Sequence, residues 1–358
     1  MRKRTLIPLL IALGVIAVFL VAVLVRKEAP PEAARLLPES DAIVYVRLKE
    51  VRSLTHFDRN PVARSPDLQA FIDATSIVPE RDIDSAAFAL HRVPVPATRY
   101  DPAHAELFMS EVFVGRFDGQ RLVQYLQGIA SSREDYAGRT IYSVPMGDQT
   151  LRVAMLGYDT VAASNMPTSE QIHSMLDRSR ASALATPGCS LLSARYHDVP
   201  LLAEAWAIGH IGLPFSQNGQ ITVLGTTLPL PEDSDLVASL SYLGTEHLLA
   251  GGSVRLRVEQ FASDPTAAQH TTDSLNTLLS LLRGIDLTPP GGSAPNSSDA
   301  AIHAILAGTK LEQHNDRAVL ESTATVEQLK AIFAAHDPAA AGTPGATGAT
   351  PAASPASK

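Results

Sequence analysis

Between residues 36 and 336 the spacing of apolar side chains switches repeatedly between a period of two and one of about 3.6 residues. That alternation predicts interleaved strands and helices. Period-two stretches such as AIVYVRL at 42–48 and SVRLRVEQF at 253–261 predict strands. Further strands are expected at 85–91, 111–117, 140–144, 151–156, 160–164, 221–226, 236–243, 310–314 and 318–322. Helical spacing marks 66–75, 119–129, 169–177, 265–284, 299–306 and 326–335, and 201–211 fits either period.

The order of these elements repeats. A strand ending near Phe117 meets Asp118, placed to cap a helix carrying Leu122 and Leu126, and strands then lead to a helix with Ile172, Met175 and Leu176 on one face. In the second half a strand ending at Phe261 meets Asp264 and a helix with Leu275, Leu278 and Leu282. Strands again lead to a helix bearing Leu329, Ile332 and Phe333. Thr168 with Gln171, and Thr325 with Gln328, each fit a capping box, in which the hydroxyl accepts from an early helical N–H and the Gln side chain reaches back. Strands in adjacent pairs with short turns favour antiparallel pairing. The expected class is therefore α+β, with antiparallel sheets and helices packed on one face. Two related β-β-α-β-β-α units are expected, at 36–185 and 186–336.

The run from Thr5 to Val25 (residues 5–25) is uncharged and would span about 31 Å as a helix, close to a bilayer's hydrocarbon thickness. Arg2, Lys3 and Arg4 precede it, so residues 1–4 are expected to stay cytoplasmic and the rest to be exported across an inner membrane. A cleavable signal is the competing reading, but the run is long for one and ends in Val-Leu-Val-Arg-Lys rather than small residues. Residues 26–35 read as a linker. The stretch 337–358, built of Ala, Pro, Gly, Thr and Ser with almost no large apolar side chain, reads as a disordered tail.

Composition narrows the partners. The net charge is −8, with 29 basic and 37 acidic side chains. Five of the basic residues lie in the first 27, leaving 24 against 37 and a net of −13 beyond them. Such acidity disfavours nucleic acid, and 5% aromatic residues with Trp206 as the lone Trp offer few stacking platforms. The single cysteine, Cys189, cannot form an internal disulfide and, beside Leu191 and Leu192, reads as a small buried apolar filler.

No spacing points to chemistry. None of the eleven histidines lies three to five residues from another, which removes the helical two-histidine metal pair. His56 and Asp58 lack a third ligand nearby. Ser190, Ser193, His197 and Asp198 cluster along the chain, but such triads are defined by geometry, and His-Asp-Val-Pro reads as a turn. Gly251-Gly252-Ser253 reads as a hairpin turn and Gly291-Gly292-Ser293 as a loop, neither with a phosphate-binding motif around it. Glu134-Asp135 and Glu232-Asp233 are expected to be solvated. No catalytic, cofactor-binding or metal residue is nominated.

Three runs, LLPESDAIVYVRL, YAGRTIYSV…LRVAMLGYDTVAASN and LEQHNDRAVLEST, sit behind a basic N-terminus and an apolar helix. Together they resemble a group of uncharacterised bacterial single-pass envelope proteins. The resemblance implies an exported region of α+β repeats and no catalytic residue. The expected role is a non-catalytic interaction or assembly module of the envelope, bound to the membrane through residues 5–25, with a protein partner or self-association. The alternatives are a small-ligand binding or sensing domain, which requires an apolar concave pocket, and an exported hydrolase assembled from distant residues.

Overall fold

The structure, a computed structural model, describes residues 29–55, 58, 64–95, 104–181, 188–210, 220–223, 226–229, 234–244, 252–284 and 297–335. The expected membrane helix, the tail, His56, Glu232-Asp233 and the 291–293 loop lie outside them. Among the described residues no helix is long and apolar enough to cross a membrane.

The first half contains α1 (Glu32–Leu36), β1 (Ala42–Val46), α2 (Leu48–Thr55), α3 (Pro66–Thr75), α4 (Pro79–Asp82), β2 (Ile83–Val95), β3 (His104–Gly115) and α5 (Gly119–Ile129). It continues through β4 (Ser132–Tyr136), β5 (Arg139–Met146), β6 (Gln149–Met155), β7 (Thr160–Ser164) and α6 (Glu170–Arg180). The second holds α7 (Ser190–Arg195), β8 (Ala205–His210), a hairpin of β9 (Gln220–Val223) and β10 (Thr226–Pro229), β11 (Asp235–Leu243) and β12 (Ser253–Phe261). It ends with α8 (Pro265–Gly284), α9 (Ser297–Gly308), β13 (Lys310–His314), β14 (Arg317–Thr325) and α10 (Val326–Ala335).

Twelve strands form one antiparallel sheet in the order β13-β14-β12-β11-β8-β1-β2-β3-β7-β6-β5-β4. The α+β class and the antiparallel pairing hold, but the two halves share a single sheet. All five residues of β1 pair with β8, from Ala42 opposite Gly209 to Val46 opposite Ala205. Reading outward from this seam, β2, β3, β7 and β6 on one side match β11, β12, β14 and β13 on the other. β5 and β4 extend only the first half.

Helices cover both faces of the sheet, not one. A cross-strand row on the first face runs through Trp206, Tyr45, Ala87, Val112, Ala162, Ala154 and Ile141. α1, α6 and α7 close over it, burying Ala33, Ala34, Ile172, Met175, Leu176 and Leu192. A separate core on the second face joins Leu122 and Leu126 of α5 to Tyr142, Val153, Val161 and Ala163, with Phe71 of α3 beside them. The cause is in the strands: all five residues of β7 (TVAAS) are buried, so both of its faces need cover.

Local chemistry sets the element ends. Asp118 Oδ1 accepts from the N–H groups of Gln120 and Arg121, and Asp264 Oδ1 from those of Thr266 and Ala267. The Thr325 box forms in full: Gln328 N–H donates to Thr325 Oγ1 at 3.1 Å and Thr325 N–H to Gln328 Oε1 at 2.8 Å. The Thr168 box does not form. The helix begins at Glu170 with Ser169 preceding it in helical backbone geometry and no side-chain cap, so Thr168 stands one residue too early. The ambiguous 201–211 stretch resolves into strand β8. The β4–β5 hairpin turns through Ala137 and Gly138, both at positive φ, as a two-residue turn of matching twist requires.

Candidate functional site

A cavity of about 610 Å³ lies on the second face between the sheet and helices α3 and α5. Its floor is made by β3, β7, β6 and β5, and two of the floor side chains, Val161 and Ala163, are small. The helices are braced against each other by an edge-on contact of Phe71 and Tyr125, ring centroids 5.5 Å apart. The Arg121 guanidinium also donates to Ser76 Oγ at the C-terminal end of α3. With α3 and α5 held to each other and short side chains at Val161 and Ala163 beneath, the space between them stays open. Ile129 and Met146, 40% and 58% exposed, stand among the lining residues where water reaches.

The lining is almost wholly apolar. Among the described residues its charged side chains are Asp67, exposed on α3, and Glu111, half-buried in β3. Glu111 faces the cavity between Phe88 of β2 and Ala163 of β7, its register partners. Its carboxyl makes no hydrogen bond or ion pair with any other described residue, and burial pushes its pKa above the ordinary value. Sequence reading passed over Glu111. The available signal was a lone acid in LFMSEVFVG, on the same strand face as Phe113 and opposite to Val112.

The serines and histidine that cluster along the chain are not brought together as a triad. Ser190 Oγ donates to Glu39 Oε2 at 2.7 Å and Ser193 Oγ to the Cys189 carbonyl. His197 pairs with its neighbour Asp198 at 3.4 Å, and Asp198 in turn accepts from Arg317 at 3.0 Å. Glu134 and Asp135 sit in edge strand β4; both are exposed, as expected, and accept from His173 and Thr140. Cys189 is fully buried in the core and burial raises its thiol pKa. Trp206 stacks on Tyr45 at 5.3 Å, a core role. Gly252 leaves room for the Tyr242 ring; a Cβ there would overlap the phenol.

A different serine–histidine pair does exist. His91 Nε2 lies 2.9 Å from Ser110 Oγ, which lies 3.0 Å from Ser164 Oγ, and the ring also hydrogen-bonds the Glu39 backbone. Burial pushes the His91 pKa down, favouring the neutral ring. Both serines are at most 1% exposed, so the cluster satisfies polar groups inside the first-face core and presents no nucleophile to a substrate. Among the described residues, no three His, Cys, Asp or Glu side chains stand close enough to hold a metal ion.

In the second half the first face is charged instead. The positions matching Ser110, Val112 and Ser164 are Arg257, Glu259 and Glu321. Arg257 pairs with Glu259 at 2.7 Å and Glu321 at 2.9 Å, and Arg317 with Glu259 at 3.2 Å. Arg195 and Arg317 sandwich the Phe261 ring at 4.1 and 4.3 Å.

No protein-family model matches the chain, and no curated protein does. Among solved structures, crystal forms I, III and IV of TP0453 align with 86% of this chain and 98–99% of their own, at 11% identity and TM-scores of 0.41, 0.43 and 0.44. A likeness at that level leaves the function to be argued from the cavity.

Proposed function

We propose that the chain is a membrane-anchored, extracytoplasmic module that binds a small apolar molecule in the cavity under α3 and α5, without chemistry of its own. The volume carries this reading: about 610 Å³ of mostly apolar space with one inward carboxylate falls within the range of small-molecule sites. The anchor is residues 5–25, with the N-terminus cytoplasmic and the body in the periplasm, supported by the uncharged run and the basic residues before it. The two halves are related units of one duplication, a reading supported by the matched strand order outward from the β1–β8 seam. An interaction module built on strand addition has less support. Edge strands β4 (SREDY) and β13 (KLEQH) are short and charged, which discourages pairing with another strand.

The test uses the full chain in nanodiscs with an aliphatic diazirine probe, followed by peptide mapping after photolysis. Labelling should concentrate on α5 and on β5 to β7, and Ala163→Leu, which narrows the floor, should reduce it. Equal labelling in the wild type and Ala163→Leu, or labelling confined to other segments, overturns the reading.

A further inference from the structure

We infer that the cavity selects single-chain amphiphiles whose polar end donates a hydrogen bond, with an alkyl amine preferred over a carboxylate, and that Glu111 is the acceptor setting this preference. The inference rests on the reading of the cavity as a ligand site and adds the chemistry of the ligand's head.

Three observations lead to it. First, among the described residues no Arg, Lys or His lines the cavity, whereas Asp67 and Glu111 do, so a bound anion would meet two acids and no counter-charge from them. Second, Glu111 has no partner among the described residues, and its cross-strand neighbours Phe88 and Ala163 carry no donor to supply one. A half-buried carboxylate facing apolar lining is partly desolvated, and a ligand bringing an N–H or O–H to it offsets that cost. Third, a cavity of about 610 Å³ is of small-molecule size and takes one medium alkyl chain. Burial already holds the Glu111 carboxyl above its ordinary range, and a facing ammonium would draw it back toward the ionised form.

The experiment titrates decylamine, decanol and decanoate into the full chain in nanodiscs and follows the methyl NMR signal of Met146, a lining residue. A residue-specific signal separates occupancy of the cavity from partition into the disc. In the wild type, decylamine should bind at least about tenfold more tightly than decanoate, as a charge-assisted hydrogen bond implies, with decanol between them. In Glu111→Gln the amine-to-carboxylate ratio should fall to within about threefold, while decanol still binds. If all three probes bind the wild type alike, or Glu111→Gln keeps the preference, the assignment of Glu111 is wrong and the apolar-ligand reading survives. If no probe moves Met146, both are overturned. Wild-type selectivity alone tests the inference should the variant fold poorly.

Discussion

Replacing Glu111 by leucine should stabilise the protein, and by an amount that depends on pH. A half-buried acid in apolar surroundings carries a desolvation penalty at the low end for an unpaired polar group, about 1 kcal/mol, which the substitution removes. Leucine also adds apolar area facing Phe88, Phe113 and Ala163, and because the site is only partly buried this contributes roughly 1 kcal/mol. The expected gain near neutral pH is therefore about 2 kcal/mol. The folded pKa of Glu111 lies above the unfolded value, so the folded state binds the proton more tightly. Below the unfolded pKa both states are protonated and no ionisation penalty exists. As pH rises through the folded pKa the wild type loses stability, and the Glu111→Leu variant has no such loss. The advantage of the variant should thus be smaller at about pH 4 than at about pH 7.5. Urea denaturation of the full chain in nanodiscs, followed by fluorescence of Trp206 at the sheet seam, measures both. A gain equal at the two pH values would refute the desolvation account, and a net loss at neutral pH would mean that Glu111 has a stabilising partner.

Further expectations follow from other contacts. Gly115→Ala should destabilise by roughly 1–3 kcal/mol or more, because a Cβ there would sit 2.2 Å from the Asp82 carbonyl that accepts from Arg116 N–H, as thermal unfolding can show. Leu176→Ala, at a side chain 1% exposed beneath α6, should cost about 2–5 kcal/mol in the same assay. Thr325→Ala should cost about 0.5–2 kcal/mol through loss of its cap, whereas Thr168→Ala should stay within about 0.5 kcal/mol. Asp82 opposes Glu111 in sign. Hydrogen bonds from Arg81 and the Val78 N–H hold its carboxyl below the ordinary value, so its contribution is present above the unfolded pKa and fades as pH falls through the folded one. Asp82→Asn should therefore flatten the acid limb of a stability profile.

Much of the fold was legible because most strands carry a one-sided or continuous apolar pattern. β1, β7, β12 and β13 appear close to their predicted bounds, and helices 66–75, 119–129, 265–284 and 326–335 match theirs. β4 was not legible: SREDY has no apolar alternation, and it is a strand only because a tight turn folds it onto β5. EAARL and LKEVRSLT were too short for a helical period to register, and α1 owes its place to the pocket that Ala33, Ala34 and Leu36 fill. That the halves share one sheet depends on the β1–β8 pairing across more than 150 residues, which no local pattern reports. TVAAS did hold a sign of two-sided cover, since a strand buried on both faces reads as an unbroken apolar run. The cavity itself was hidden, because a void is set by how far two helices stand from a sheet. Only the lone acid in LFMSEVFVG marked the place.

The docking of α1 at the middle of the sheet, against β1, β2 and β3, fixes where the chain enters the body. With residues 5–25 in a bilayer as proposed, only six residues separate the membrane helix from α1, a leash of at most about 20 Å even when fully drawn out. The body can then swivel on a short central pivot but cannot drift from the lipid surface, and because α1 docks on the first face, the cavity under α3 and α5 lies across the sheet from that pivot.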